Sequence, residues 1–155
     1  MDFDVTVEIP KGQRNKYEVD HATGRIRLDR TLFTSTQYPA DYGYIEGTLG
    51  QDEDPLDALV LVQSPTFPGC LIRVRLIGVL TIEDDEGVKE PKLLAVPVEE
   101  PRFAEYADIK DVPAHLLKEI ENFFDIYKQL EGDPVKARGW QGARQAEKVL
   151  EEAIA

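Results

Sequence analysis

Three carboxylates fall within six residues in QDEDPLDAL (51–59): Asp52, Asp54 and Asp57. Carboxylates this close repel and raise each other's pKa unless a cation lies between them. Metal binding is the chemistry such spacing could do; the competing reading is an acidic turn splayed into water. A calcium loop of the EF-hand kind fails on position. Counting from Asp52, Leu56, Asp57 and Gln63 fall where that loop needs an oxygen ligand, a glycine and a bidentate glutamate. Magnesium suits the pattern better, because it keeps several waters and takes few carboxylates plus phosphate oxygens. An extended backbone would aim Asp52 and Asp54 the same way, and Pro55 would stiffen the turn that returns Asp57. The apolar ALVLV (58–62) behind would anchor the loop.

A second acidic stretch, EDDEGVKEPK (83–92), lies between two strand-like segments. By itself it is a charged surface hairpin. It nevertheless mixes Glu90, a potential ligand, with Lys92, a potential anion binder. Folded against the first cluster, it could help clamp two or more metals, which would polarise a phosphoryl group and acidify a bridging water. Lys16 beside Glu18, Arg30, Tyr38 and Tyr42 in QYPADYGY, and the Tyr127–Lys128 pair could ring an oxyanion. Each also has a plain structural reading, since tyrosines near prolines pack and lysines snorkel. Lys128 near a helix C-terminus has a dipole rationale of its own.

The elements that must position these groups change period along the chain. FDVTVEI (3–9), KYEVD (16–20) and RIRLDR (25–30) alternate as strands, with HATG (21–24) as a turn. In RIRLDR, Arg30 continues the apolar row of Ile26 and Leu28. ALVLV, CLIRVRLIGVLTI (70–82) and KLLAVPV (92–98) complete a strand-rich body. From Pro113, Leu116, Leu117, Ile120, Phe123, Phe124, Tyr127 and Leu130 recur at helical spacing, with Asp111 and Pro113 as start signals and Gly132 and Pro134 as stops. A second helix fits 142–154. Strands first and helices last predict an α+β fold: an antiparallel, OB-like β-barrel, closed or nearly so, with two C-terminal helices packed outside. No linker divides residues 1–155, which read as a single domain.

Composition bounds the function. The net charge of −12 disfavours nucleic acid or an anionic membrane as partner. An anionic substrate would need metal ions to invert the local field. One cysteine, Cys70, excludes an intrachain disulfide and suits a reducing compartment. The N-terminus lacks the basic and apolar regions of a signal peptide, so the expected location is the cytoplasm. Cys70 reads as a small buried apolar residue, and His21 and His115 as turn and helix-surface residues without a catalytic role.

The order VEIPKGQRNKYEVD, RIRLDR, QYPADYGYIEGTLG, DEDPLDALVL, FPGCLIRVRLIGVL, KLLAVP, NFFDIYKQLE closely resembles the soluble family I inorganic pyrophosphatases of bacterial type, from Phe3 to about Trp140. The D-x-D-P-x-D core is the most specific element. The resemblance implies hydrolysis of pyrophosphate to two phosphates, dependence on several Mg²⁺ ions (with Mn²⁺ or Zn²⁺ as substitutes), and assembly as a homohexamer. By matching position, it implies Asp52, Asp57 and Asp84 as metal ligands, with Glu8 and Glu90 beside them. The resemblance also implies that Asp54 helps deprotonate the attacking water, with Glu90 as a further catalytic carboxylate. Lys16, Arg30, Tyr42, Lys92, Tyr127 and Lys128 match phosphate-contacting positions, and Glu18 and Tyr38 supporting ones. Two departures stand out. Glu53 replaces a residue that is usually small or Asp. The 83–92 loop is one residue longer than the pattern, so Asp84 (preferred because Gly87 then matches the turn glycine) competes with Asp85, and Glu90 replaces an aspartate. Readings from other classes are a non-catalytic OB-type binding module and a broader metal-dependent phosphohydrolase.

Overall fold

A computed structural model describes residues 2–154. Eight strands and two α-helices follow in order: β1 (Asp2–Ile9), β2 (Asn15–Val19), β3 (Ile26–Thr31), β4 (Asp41–Tyr44), β5 (Asp57–Val60), β6 (Leu71–Asp84), β7 (Lys89–Pro97), α1 (Ala114–Ile126), β8 (Val135–Gly142) and α2 (Ala143–Ala153). The sheet runs β1-β4-β5-β7-β6-β8, and β1 also pairs with β6. Five strands therefore close into a ring, the expected OB-like barrel.

The long β6 makes closure possible. Asp2–Thr6 of β1 pairs with its first part, Leu71–Arg75, while β8 pairs with its second part, Gly78–Asp84. The expectation of a wholly antiparallel barrel is corrected at one seam, where β5 and β7 run parallel. There the chain leaves β5, crosses the barrel through β6, and returns. Strand β4 approaches β1 so closely that a Cβ on Gly43 would collide with the Thr6 carbonyl oxygen. Only glycine fits.

Both faces of the central strands are covered, which explains their unbroken apolar runs. Leu59, Leu61, Leu94 and Val96 enter one core with Ile120, Phe123 and Phe124 of α1. Ala58, Val60, Leu93 and Ala95 enter the other with Ala146 and Leu150 of α2. The two predicted helices thus cover the barrel, but their ends differ from expectation. Asp111 caps no helix; it closes a preceding 3-10 turn by accepting from the N–H groups of Ala107 and Asp108. Helix α1 stops at Ile126, and a separate 3-10 turn (Gln129–Glu131) follows, closed by left-handed Gly132 (φ 77°). Leu130 consequently lies exposed.

The β2–β3 hairpin stands apart as its own two-stranded sheet. Its apolar row is not buried: Ile26 and Leu28 are 44% and 53% exposed. Cys70 is only partly buried. Among the described residues, no helix is long and apolar enough to cross a membrane.

Candidate active site

A cleft of about 400 Å³ opens at one end of the barrel. Its carboxylates are Glu8 from β1, Glu18 from β2, Asp52 and Asp54 from the β4–β5 connection, Asp57 at the start of β5, and Glu90 from β7. Lys16, Lys92 and Lys128 line the same cleft, with Tyr42 and Tyr127. Eleven of the fourteen residues singled out from sequence share this one cavity. Arg30, Tyr38 and Asp84 do not line it.

The two acidic stretches meet because β5 and β7 are neighbours. Lys92, only 3% exposed, is the point of contact. Its ammonium donates to Asp57 Oδ2 (2.7 Å), Tyr42 Oη (2.8 Å) and Glu90 Oε1 (3.0 Å). The Tyr42 hydroxyl donates in turn to Asp57 Oδ2 at 2.8 Å. Burial alone would discharge this ammonium. The Asp57 and Glu90 carboxylates outweigh that effect and hold its pKa above the ordinary lysine value. Burial and the Asp57 charge push the Tyr42 phenol well up, and burial pushes Tyr127 up to about 12. Both phenols stay protonated at neutral pH and can donate to an oxyanion.

The Asp52–Asp54 segment is turned rather than extended. Gly50 N–H donates to Asp54 O, Asp54 N–H donates to Asp52 Oδ1, and Glu53 takes a left-handed conformation (φ 68°). Thr48 pins the loop base: its hydroxyl donates to Ile45 O and accepts from Leu56 N–H. Glu8 Oε2 accepts from Val19 N–H at 2.9 Å, tying the outlying hairpin to the barrel. Burial, with help from Asp57 and Glu18, raises the Glu8 pKa. Lys16 pairs with Glu18 at 2.6 Å and Lys128 with Asp133 at 3.7 Å.

The residues outside the cavity have identifiable positions. Asp84 Oδ1 caps the β6–β7 turn, accepting from Glu86 and Val88 N–H. Gly87 (φ 83°) occupies that turn. Tyr38 packs behind the cleft against Tyr42 and Phe123. Arg30 bonds to Asp29 and Glu131. Sequence reasoning did not single out Val19 and Tyr44 and read His21 only as a turn residue; all three line the cleft, where His21 meets Tyr44 edge to face. A turn histidine carries no periodic signal that would have revealed it.

Among the described residues, no three acidic, His or Cys side chains are gathered closely enough to hold a metal as they stand. The ammonium of Lys92 is the cation this chain itself inserts between Asp57 and Glu90. The remaining donors, all carboxylate oxygens on an open cleft, fit a hard divalent ion that completes its shell with water and phosphate.

Residues 5–155 match the family model described as Inorganic pyrophosphatase. An inorganic pyrophosphatase of Streptomyces coelicolor is 57% identical over 152 residues, covering 97% of this chain and 93% of its own length. That of Geobacillus stearothermophilus is 49% identical over 96% of this chain and 90% of its own. The crystal structure of the inorganic pyrophosphatase from Thermus thermophilus superposes with a TM-score of 0.95 at 40% identity, covering 99% of this chain and 89% of that one. With an OB-like barrel, a cleft lined by carboxylates and lysines, and likeness along almost its whole length, this chain belongs to the inorganic pyrophosphatase family.

Proposed function

We propose that the cleft hydrolyses inorganic pyrophosphate to two phosphates with the help of divalent metal ions, Mg²⁺ first among them and Mn²⁺ or Zn²⁺ as substitutes. One observation carries the proposal: six carboxylates and three lysines, together with tyrosines, line a single cavity, and two of the lysines already lie against carboxylates there, Lys92 against Asp57 and Glu90 and Lys16 against Glu18. Carboxylates alone would repel a phosphate, and lysines alone would not activate water.

Asp52, Asp57, Asp84, Glu8 and Glu90 would hold the metals, which when bound polarise phosphoryl oxygens and acidify water. Asp54, in no ion pair among the described residues, accepts the proton of the attacking water, with Glu90 supporting it. Lys16, Lys92, Tyr42, Tyr127, Lys128 and Arg30 neutralise oxygens of the two phosphoryl groups, where charge spreads in the transition state. Glu18 orients Lys16 through their 2.6 Å pair, and Tyr38 backs the ring of Tyr42. Asp84 lends one oxygen to its turn and keeps the other for a ligand. A cytoplasmic location and a homohexameric assembly belong to the same proposal, and sedimentation of the intact chain tests the second.

Phosphate release from pyrophosphate, a nucleoside triphosphate and a phosphomonoester, each with Mg²⁺ and with chelator, decides the function. The proposal expects Mg²⁺-dependent release from pyrophosphate far above the other two. Comparable release from several substrates would make this a broader phosphohydrolase. No release from any would leave an OB-type binding module.

A further inference from the structure

Among the described residues, four buried side-chain atoms lack a hydrogen-bond partner: Arg30 Nε, Tyr38 Oη, Glu131 Oε2 and Trp140 Nε1. Two of them belong to one ion pair, Arg30 with Glu131, and unpaired buried polar atoms are costly, so that pair calls for a role. Glu131 is not among the residues singled out from sequence. It lies in the 3-10 turn after α1, only 12% exposed at its side chain, and its Oε1 accepts from Arg30 Nη2 at 2.8 Å.

The surrounding geometry fixes this carboxylate. Glu131 N–H donates to Lys128 O, Asp133 N–H donates to the same oxygen, and left-handed Gly132 closes the turn between them. One turn therefore supports two cations of the site: Glu131 holds Arg30, and Asp133 pairs with Lys128. Arg30 lies near enough to the phenols of Tyr38 and Tyr127 for its charge to oppose the burial that raises them. Arg30 is held from two sides, by Asp29 of its own strand and by Glu131 of the turn after α1, so Glu131 is the contact that ties it to another element.

We propose that Glu131 is a positioning residue: its carboxylate, held by the Lys128–Asp133 turn, orients the Arg30 guanidinium toward the phosphate that leaves. The inference rests on the pyrophosphatase reading. An anchor of this kind acts on geometry in the transition state, and misplacing a catalytic group by about 1 Å costs up to ~100-fold.

The test compares wild type, Glu131→Gln, Glu131→Asp, Arg30→Ala and Lys16→Ala, and the Glu131→Gln change combined with each of the last two. Mg²⁺–pyrophosphate hydrolysis, thermal midpoint and exchange of the Arg30 Nε–H by NMR are measured on the intact chain. Expected are a kcat loss of about 10- to 100-fold in Glu131→Gln with KM little changed, and faster Nε–H exchange. Glu131→Asp, shorter but charged, loses less. The loss from Glu131→Gln disappears in the Arg30→Ala background and persists in Lys16→Ala. Wild-type kcat in Glu131→Gln, or the same fold loss in both backgrounds, overturns the inference. Should Glu131→Gln fail to fold, Glu131→Asp with unaltered kcat and exchange overturns it equally. A wild-type protein inert toward pyrophosphate would instead remove the functional reading, a separate outcome.

Discussion

Replacing Lys92 by methionine isolates what one buried ammonium contributes before any metal binds. Methionine keeps the unbranched stem and removes three donors, so the change is electrostatic rather than volumetric. The bond to Asp57 is charge-assisted and mostly buried, worth about 1.5–3 kcal/mol; that to Tyr42 is worth about 1. The bond to Glu90 adds little, because that carboxylate is well exposed and water replaces the contact. Against this gross loss of roughly 3–4 kcal/mol stands relief of the ammonium's own desolvation, and water reaches the partly exposed Asp57. The expected net cost is about 2–3 kcal/mol, a fall in midpoint of about 4–12 °C for a chain of this length.

Urea unfolding in chelator is the assay, since metals would bind the carboxylates that the lysine vacates; an unchanged m-value confirms that only stability moved. The pH dependence follows from the raised pKa of Lys92. A group whose folded pKa exceeds its unfolded value contributes fully below the unfolded pKa, about 10.4 for lysine, and loses that contribution as pH rises toward the folded value. The difference between wild type and Lys92→Met is therefore flat through neutrality and shrinks only in strong alkali. Adding Asp57→Asn removes the stranded carboxylate, so the double variant is more stable than additivity predicts by about 1 kcal/mol or more. A Lys92→Met protein within about 0.5 kcal/mol of wild type, or a strictly additive double variant, would refute the reasoning.

Three further outcomes follow from the same geometry. Because burial raises the Glu8 pKa, its ionised form burdens the metal-free fold, and that burden grows as pH rises through the carboxylate range; Glu8→Gln raises the thermal midpoint in chelator at neutral pH while lowering Mg²⁺-dependent turnover. Asp41, fully buried, accepts from Lys11 N–H and from the N–H and hydroxyl of Thr66; Asp41→Ala strands these donors and costs about 3 kcal/mol or more by urea unfolding. Glu53 sits at φ 68°, a conformation asparagine tolerates better; Glu53→Asn gains about 0.5 kcal/mol in the same assay.

What the sequence revealed tracks how each segment is buried. One-sided strands such as β1 alternate and were legible. The segment DYGY, buried on every residue and containing glycine, shows no period of two, so β4 is absent from the strands read from sequence. Strand β8 hid for the opposite reason, with charged and glycine positions scattered through VKARGWQG. The apolar row of Ile26 and Leu28 was legible as a pattern, but a pattern does not say what covers it. The site divides on the same principle. Residues whose chemistry is unusual for their place, such as three aspartates around a proline, stand out in any chain. Glu131 does not, because it is one of thirty acidic residues, and what sets it apart is the arginine that folding brings to it across a hundred positions of sequence. A carboxylate that binds a ligand is marked by its neighbours along the chain; one that steadies another side chain is marked only by its neighbours in space. The supporting layer of an active site is therefore where structure adds most to sequence, and where substitutions look neutral on paper and are costly in turnover.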